Sequence, residues 1–323
     1  MTQRLILSVI SFVLASCAYQ SGRAQSGQAH LSVSGLSAGG YMATQLHLTN
    51  STRIDGVGLL AAGPYGCSGG AISTALGPCL SGVGLDATAL AAKAKAAAAD
   101  DVLDSLVGIT ADRVWLFHGQ NDTVVTRDVV VAAQNFYLAL TVPSTAIERV
   151  DNVAAAHGLP ALDASADCDA MQSPFLNACD YDAAGKLLSF LVDRDGEPPD
   201  RAQGVLETIV QPNALGLAKT GFLYRPPQCR QQEHACGVHV VLHGCQQGAQ
   251  FVGDQFAMGA GYNRWGDALD LMILYPQAER VAMINPLGCW DWWGYSGAGF
   301  DTRDGVQIRA LMTLIDQVQA GGL

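Results

Sequence analysis

Residues 29–40 read AHLSVSGLSAGG. Ala29 to Val33 is a short strand candidate. Gly40 to Asn50, with Met42, Leu46 and Leu48 among small residues, has helical character. Between them stands Gly35-Leu36-Ser37-Ala38-Gly39, a G-x-S-x-G pattern. Glycines at both ends let the backbone turn sharply and let strand and helix approach closely, which pushes the serine into a strained, exposed position. A Gly/Ser-rich turn meets the same pattern by chance, so its meaning depends on partners elsewhere in the chain.

A hydroxyl is a weak nucleophile until a neighbouring base takes its proton, and that base needs a carboxylate to hold its tautomer. Arg113 to His118 (RVWLFH) reads as a strand, followed by the turn Gly119-Gln120-Asn121-Asp122. Ala146 to Val150 is the next strand candidate, and the loop Asn152 to Pro160 carries His157 between Ala156 and Gly158. The order Ser37, Asp122, His157 is the chain order of α/β-hydrolases, with both partners in loops that follow strands. Asp128 and Asp151 are the rival carboxylates, Asp128 being explained by capping of the helix Asp128 to Leu138. Among the other histidines, His118 and His243 end strands and support loops, and His239 sits inside an apolar strand. His30, His47 and His234 lie away from suitable loops.

The rest of the chain alternates helix and strand. Val57 to Ala62 is an apolar run of strand length. Leu85 to Leu106 is Ala- and Lys-rich and reads as one or two helices. Residues 160 to 235 are hard to read, apart from a helix near Ala183 to Val192. Val238 to Leu242 is a strand leading into His243-Gly244-Cys245. Tyr262 to Leu269 is a helix, Leu271 to Tyr275 a strand, and Gly305 to Val318 a closing amphipathic helix. Such alternation predicts a mostly parallel central sheet with helices on both faces.

Acyl transfer needs donors for an oxyanion. One is the N–H of the residue after the nucleophile, Ala38; the other ordinarily comes from a loop that precedes the serine. Too few residues stand before Ser37 for that. The suitable His-Gly loop, His243-Gly244-Cys245, lies far downstream. The order of parts is therefore rotated, and a circularly permuted α/β-hydrolase accommodates all of them, since neighbouring termini tolerate such rearrangement.

The chain has 323 residues, 49% of them hydrophobic, enough for a large core, and a formal charge of −11. That charge repels phosphate backbones, so no nucleic-acid partner is expected. Arg4 and the short apolar run Leu5 to Val13 read as an export signal, too short to span a bilayer. Leu14-Ala15-Ser16-Cys17 looks like a bacterial lipobox, which gives a signal peptide over 1–17 with lipidation at Cys17. An ordinary cleaved signal with a coincidental cysteine is the alternative. Residues 18–29 form a flexible tether and 30–323 a single catalytic domain. The expectation is a monomer, exported to the periplasm and outer membrane as a lipoprotein or secreted, touching membrane only through the anchor. Of nine cysteines, eight remain after Cys17, an even set that reads as a disulfide framework. Local spacing favours Cys67–Cys79, Cys168–Cys179 and Cys229–Cys236, leaving Cys245–Cys289. No C-x-x-C pair and no histidine cluster has metal-ligand spacing, so no metal is expected.

GLSAGGYMA at 35–43, FHGQNDTVV at 117–125, AAHG at 155–158, CDAMQSPFLNACDYDAAG at 168–185, VVLHGCQQ at 240–247, AGYNRWGD at 260–267, LYPQ at 274–277 and NPLGCWDWWGY at 285–295 together resemble the polyhydroxybutyrate (PHB) depolymerases and related esterases with a circularly permuted catalytic domain. The HGCQQ and GCWDWW segments are the specific ones. The resemblance implies hydrolysis of poly(3-hydroxybutyrate) or its oligomers without a cofactor, Ser37, Asp122 and His157 as the triad, and the N–H groups of Ala38 and Cys245 as the oxyanion hole. It also implies an aromatic wall from Trp290 first, then Trp292 and Trp293, fixed by a Cys245–Cys289 bridge. Multidomain relatives add a linker and a polymer-binding domain, and neither is read here, which points towards oligomers or short-chain esters. A carbohydrate (feruloyl or acetyl) esterase and a non-catalytic surface lipoprotein on a hydrolase scaffold are the competing readings.

Overall fold

A computed structural model describes residues 30–230 and 235–322. The signal segment, Cys17, the tether and His234 lie outside the described residues. In chain order the strands are β1 (Leu31–Leu36), β2 (Gly56–Leu60), β3 (Arg113–Gly119), β4 (Ile147–Val153), β5 (Leu159–Pro160), β6 (Ala166–Asp167), β7 (Leu176–Ala178), β8 (Val205–Val210), β9 (Thr220–Arg225), β10 (Gly237–Leu242) and β11 (Leu271–Tyr275). The helices are α1 (Ala38–Thr49), α2 (Ile72–Leu76), α3 (Pro78–Ser81), α4 (Ala87–Ala99), α5 (Arg127–Ala139), α6 (Ala183–Val192), α7 (Ala249–Val252), α8 (Gln255–Gly259), α9 (Tyr262–Leu269) and α10 (Val306–Gln319).

Eight strands form one sheet in the order β4-β3-β2-β1-β10-β11-β9-β8. The run from β4 to β11 is parallel, and β9 is antiparallel to both β11 and β8. The N-terminal and C-terminal halves meet in mid-sheet, where Leu31 to Gly35 of β1 pairs with Val238 to Leu242 of β10. Read from β8 onward, the strands take the spatial order 1-2-4-3-5-6-7-8 with the second reversed. This is the circularly permuted α/β-hydrolase arrangement that the displaced His-Gly loop implies. Every residue of β1, β2, β10 and β11 is buried, as strands covered on both faces require. Helices α1, α5 and α10 lie on one face, and α6 and α9 on the other.

Two parts were not read from sequence. Leu159–Pro160, Ala166–Asp167 and Leu176–Ala178 make a small parallel sheet in the order β5-β7-β6. Val205–Val210 and Thr220–Arg225 pair as an antiparallel edge. Strands of two or three residues carry no period, and the side chains of β8 do not alternate cleanly between inside and outside. One smaller expectation is corrected. Thr126, not Asp128, stands at the N-cap position of α5, its hydroxyl donating to Ser81 O, and Asp128 sits exposed in the first turn, where its charge faces the positive end of the helix.

Buried histidines hold the sheet's centre. His239 of β10 reaches Ser32 Oγ and Ser34 Oγ, each at 2.8 Å, across the β1–β10 seam. Burial pushes it from 6.5 down to about 3. His243 is likewise pushed down to about 4, mainly by burial. Both remain neutral in the folded chain, whereas unfolded histidines gain protons as pH falls through 6.5. Stability is therefore undiminished by these groups above about pH 6.5 and falls below it until the folded values are reached. Thermal midpoints measured from pH 7.5 to pH 4 should fall continuously below pH 6.5, and His239→Gln should flatten that slope even if it lowers the midpoint itself. An unchanged slope would contradict the assignment.

Candidate active site

Ser37 joins β1 to α1 with φ 56° and ψ −120°, a left-handed backbone that a non-glycine residue occupies only when its surroundings force it. The surroundings are glycines. A Cβ on Gly35 would run into the carbonyl of Gly39, and one on Gly39 into the carbonyl oxygens of Leu242 and His243. The elbow is thus wedged against the end of β10, directly beside the loop that follows it. Ser37 donates its N–H to Leu60 O at 2.8 Å.

Asp122 follows β3. Its Oδ1 accepts N–H bonds from Val124 and Val125 at 2.8 and 2.9 Å, and its Oδ2 accepts from His157 Nδ1 at 2.8 Å. The carboxylate is almost wholly buried and the imidazole slightly exposed. The Asp122 and His157 loops are stitched together by Gln120 N–H to Val153 O (2.8 Å) and Asn121 N–H to Ala155 O (3.0 Å). Gly158 is required because a Cβ there would overlap the Asn177 amide. Asn177 in turn donates to the carbonyls of Asp167, Cys168 and Ala170. Asp151 is occupied elsewhere, with Arg127 and Arg149 holding its carboxyl below the usual range despite some desolvation. His118 supports the acid loop through its Nε2–H to Val125 O at 3.2 Å, and burial lowers its proton affinity against the pull of Asp122.

Ser37 and His157 line one cavity of about 630 Å³. Their side chains are not hydrogen-bonded to each other, a spacing common in sites that tighten only around substrate. Ala38 N–H is at the free, positive end of α1. Cys245 faces the same cavity. Among the described residues neither N–H has an acceptor. The Cys245 loop is rigidly braced. His243 Nδ1–H donates to Gly244 O (2.7 Å) while its Nε2 accepts from Ala278 N–H (3.1 Å), which fixes the neutral tautomer. Gln247 Oε1 accepts from Gly244 N–H at 2.6 Å. Cys245 is bonded to Cys289, and the other bridges are Cys67–Cys79, Cys168–Cys179 and Cys229–Cys236. Four disulfides fit a chain that folds outside the reducing cytoplasm.

The tryptophans divide. Trp292 and Trp293 line the cavity, Trp292 stacked on Tyr41 with ring centres 4.2 Å apart. Trp290, expected to lead this wall, does not reach it. It is fully buried beneath the Cys245 loop, its ring beside His243, and its Nε1–H donates to His243 O at 3.0 Å. An indole with its N–H satisfied by backbone and both faces packed is a core residue. Sequence reasoning also missed Asp291. Its buried carboxylate accepts N–H bonds from Trp293, Gly294, Tyr295 and Ser296 and so shapes the aromatic loop. The signal was its place within CWDWW. Among the described residues no cluster of three or more His, Cys, Asp or Glu side chains has the makings of a metal site.

The sheet and its loops define a circularly permuted α/β-hydrolase. The sequence model of the esterase PHB depolymerase family matches residues 220–321. A poly(3-hydroxybutyrate) depolymerase of Delftia acidovorans is 35% identical over 300 residues, covering 90% of this chain and 59% of that protein. The chain thus spans less than two thirds of the Delftia protein's length. A polyhydroxybutyrate depolymerase of Talaromyces funiculosus is 32% identical over 314 residues, covering 90% of each. The crystal structure of a PHB depolymerase from Penicillium funiculosum superposes with a TM-score of 0.83 at 30% identity, over 91% of this chain and 96% of that one. A serine-to-alanine variant of a PHB depolymerase, complexed with an R3HB trimer, superposes with a TM-score of 0.82 at 30% identity over the same shares. The chain belongs to the PHB depolymerase esterase family.

The wedge at Gly39 yields a direct test. Gly39→Ala forces a methyl group into two carbonyl oxygens of β10 and its loop, and should cost about 3 kcal/mol or more of stability. Urea unfolding of the variant measures it, and an unchanged midpoint would contradict the packing described.

Proposed function

We propose that the chain is a serine esterase that hydrolyses poly(3-hydroxybutyrate) or its oligomers through an acyl-enzyme on Ser37. The observation that carries this reading is the convergence on one apolar cavity of the strained Ser37, the Asp122-braced His157 and the two free N–H groups of Ala38 and Cys245. His157 takes the Ser37 proton as the oxygen attacks the ester carbonyl. The resulting oxyanion is held by the N–H groups of Ala38 and Cys245. The tetrahedral adduct collapses, and the departing alkoxide receives the proton from His157. Water, deprotonated by the same imidazole, then releases the acid and restores Ser37. Asp122 stays ionised and keeps Nδ1–H turned inward, so Nε2 faces the serine.

Leu76, Met171, Phe175, Ile284 and Trp292 give the cavity a wall suited to the methyl-bearing backbone of an aliphatic polyester, more than to a sugar-linked ester. The names of the relatives and the trimer bound by one of them support the same substrate class. The mouth is apolar as well. Leu76, Met171 and Ile284 are 63%, 56% and 48% exposed, and the neighbouring Met283 is 97% exposed. Such a rim is suited to resting on a hydrophobic polymer surface. The reading extends to residues 30–323 as one catalytic unit, acting as an exported monomer with Cys17 as its lipid anchor.

Ser37→Ala should lower acid release from soluble 3-hydroxybutyrate oligomers by about a thousandfold or more. Loss of the Asp122 charge in Asp122→Asn should reduce kcat with the protein still folded. Acid release that survives Ser37→Ala would contradict the proposal. The double variant Leu76→Ser with Met283→Ser should slow hydrolysis of amorphous polymer more than that of the soluble trimer, measured side by side. Equal slowing would remove the rim from the account.

A further inference from the structure

His157 follows β4 and Cys245 follows β10, and the sheet order places β3, β2 and β1 between those strands. Four strand spacings separate the two loops at their roots by about 19 Å. Residues 168–179 lie across that gap. The Cys168–Cys179 bridge closes the segment, and Met171 and Phe175 carry it onto the cleft wall. On one side it holds the backbone around His157. Ala156 N–H donates to Cys168 O (2.9 Å), Leu159 N–H to Phe175 O (2.9 Å) and Ala161 N–H to Asn177 O (3.0 Å). His157 is thus bracketed by bonds before and after it.

On the other side stands Gln247, 1% exposed. Its Nε2–H groups donate to Pro174 O (2.9 Å) and Phe175 O (3.4 Å), and its Oε1 accepts from Gly244 N–H at 2.6 Å. Gly244 precedes Cys245 in the chain, and a Cβ placed on it would touch the Ser37 side chain at 3.6 Å. Phe175 O therefore accepts from both loops at once, from Leu159 N–H beyond His157 and from the Gln247 amide beyond Cys245. Phe175 itself is held at φ 58°, with its N–H given to Gln172 O at 2.7 Å. A buried amide with both ends satisfied by backbone fixes the two segments it joins.

We infer that residues 168–179 are a strut that sets the position of His157 relative to the Cys245 N–H, and that Gln247 is the positioning residue joining the strut to the Cys245 loop. The catalytic consequence rests on the esterase reading above. A base and an oxyanion donor serve one reacting carbon only when both are held in place, and a displacement of about 1 Å costs about a hundredfold in rate. Gln247 acts through backbone, since both ends of its amide are engaged there.

Two variants and two readouts test the strut. Gln247→Leu removes both ends of the amide. Gln247→Glu keeps the acceptor for Gly244 N–H and sets a carboxylate against the carbonyls of Pro174 and Phe175. In each, kcat for p-nitrophenyl butyrate should fall about tenfold or more, with KM changed far less. Amide hydrogen exchange, followed by mass spectrometry, should quicken about tenfold or more in the peptide spanning residues 156–161, while exchange in β2 stays as in the wild type. Unchanged exchange at residues 156–161 in both variants would overturn the strut. Wild-type kcat in Gln247→Glu would overturn it too, since the Gly244 bond alone would then suffice. Should the wild-type protein leave p-nitrophenyl butyrate uncut, the esterase reading fails, while the exchange measurement still decides the strut.

Discussion

The structure depends on the contact between Gly39 and the end of β10. No side-chain atom fits between the first turn of α1 and the carbonyls of Leu242 and His243. This contact joins the two halves of a permuted chain. It brings the elbow, which belongs to the N-terminal half, within reach of the Cys245 loop, which belongs to the C-terminal half. The parallel pairing of β1 with β10 and the His239 bridge to Ser32 and Ser34 hold the same seam from the other face. Strain at Ser37 is sustained because packing on both sides leaves no relaxed alternative.

The loops around that seam are braced in a consistent way. Each loop of the candidate site is braced by a buried polar side chain. His118 supports the Asp122 loop, Asn177 the segment from Asp167 to Ala170, His243 and Gln247 the Cys245 loop, and Asp291 the loop of Trp292 and Trp293. Buried polar groups are costly unless satisfied, and here the bonds these side chains make go mainly to backbone N–H and C=O groups, while His118 Nδ1 and Asn177 Oδ1 have no partner among the described residues. Bracing of this kind fixes the loop backbones independently of any bound molecule, which is what the proposed stabilisation of an oxyanion requires.

Much of this was legible in the sequence. Ser37, Asp122 and His157 stand out because reactive residues follow strands with recognisable apolar runs, and because glycines mark the turns. The permutation was legible from the order of parts, since one His-Gly loop followed a strand and it came too late in the chain. Three disulfide pairs follow from local spacing, and Cys245–Cys289 is the pair that then remains. The failures have physical causes. Trp290 shares its motif with Trp292 and Trp293, and only the third dimension shows that its N–H is used by His243 O and its ring lies in the core. The small sheet of Leu159–Pro160, Ala166–Asp167 and Leu176–Ala178 is too short for periodicity. Asp128 opens its helix in the text of the sequence, yet Thr126 takes the capping position.

The central claim is that Ser37 is a nucleophile whose oxyanion is held by Ala38 and Cys245. A crystal structure of the protein after reaction with an alkyl phosphonate tests it most directly. The account predicts phosphorus bonded to Ser37 Oγ, with the phosphoryl oxygen accepting hydrogen bonds from both N–H groups and His157 Nε2 facing the leaving-group side. An adduct on another residue, or a phosphoryl oxygen turned away from Cys245, would contradict it.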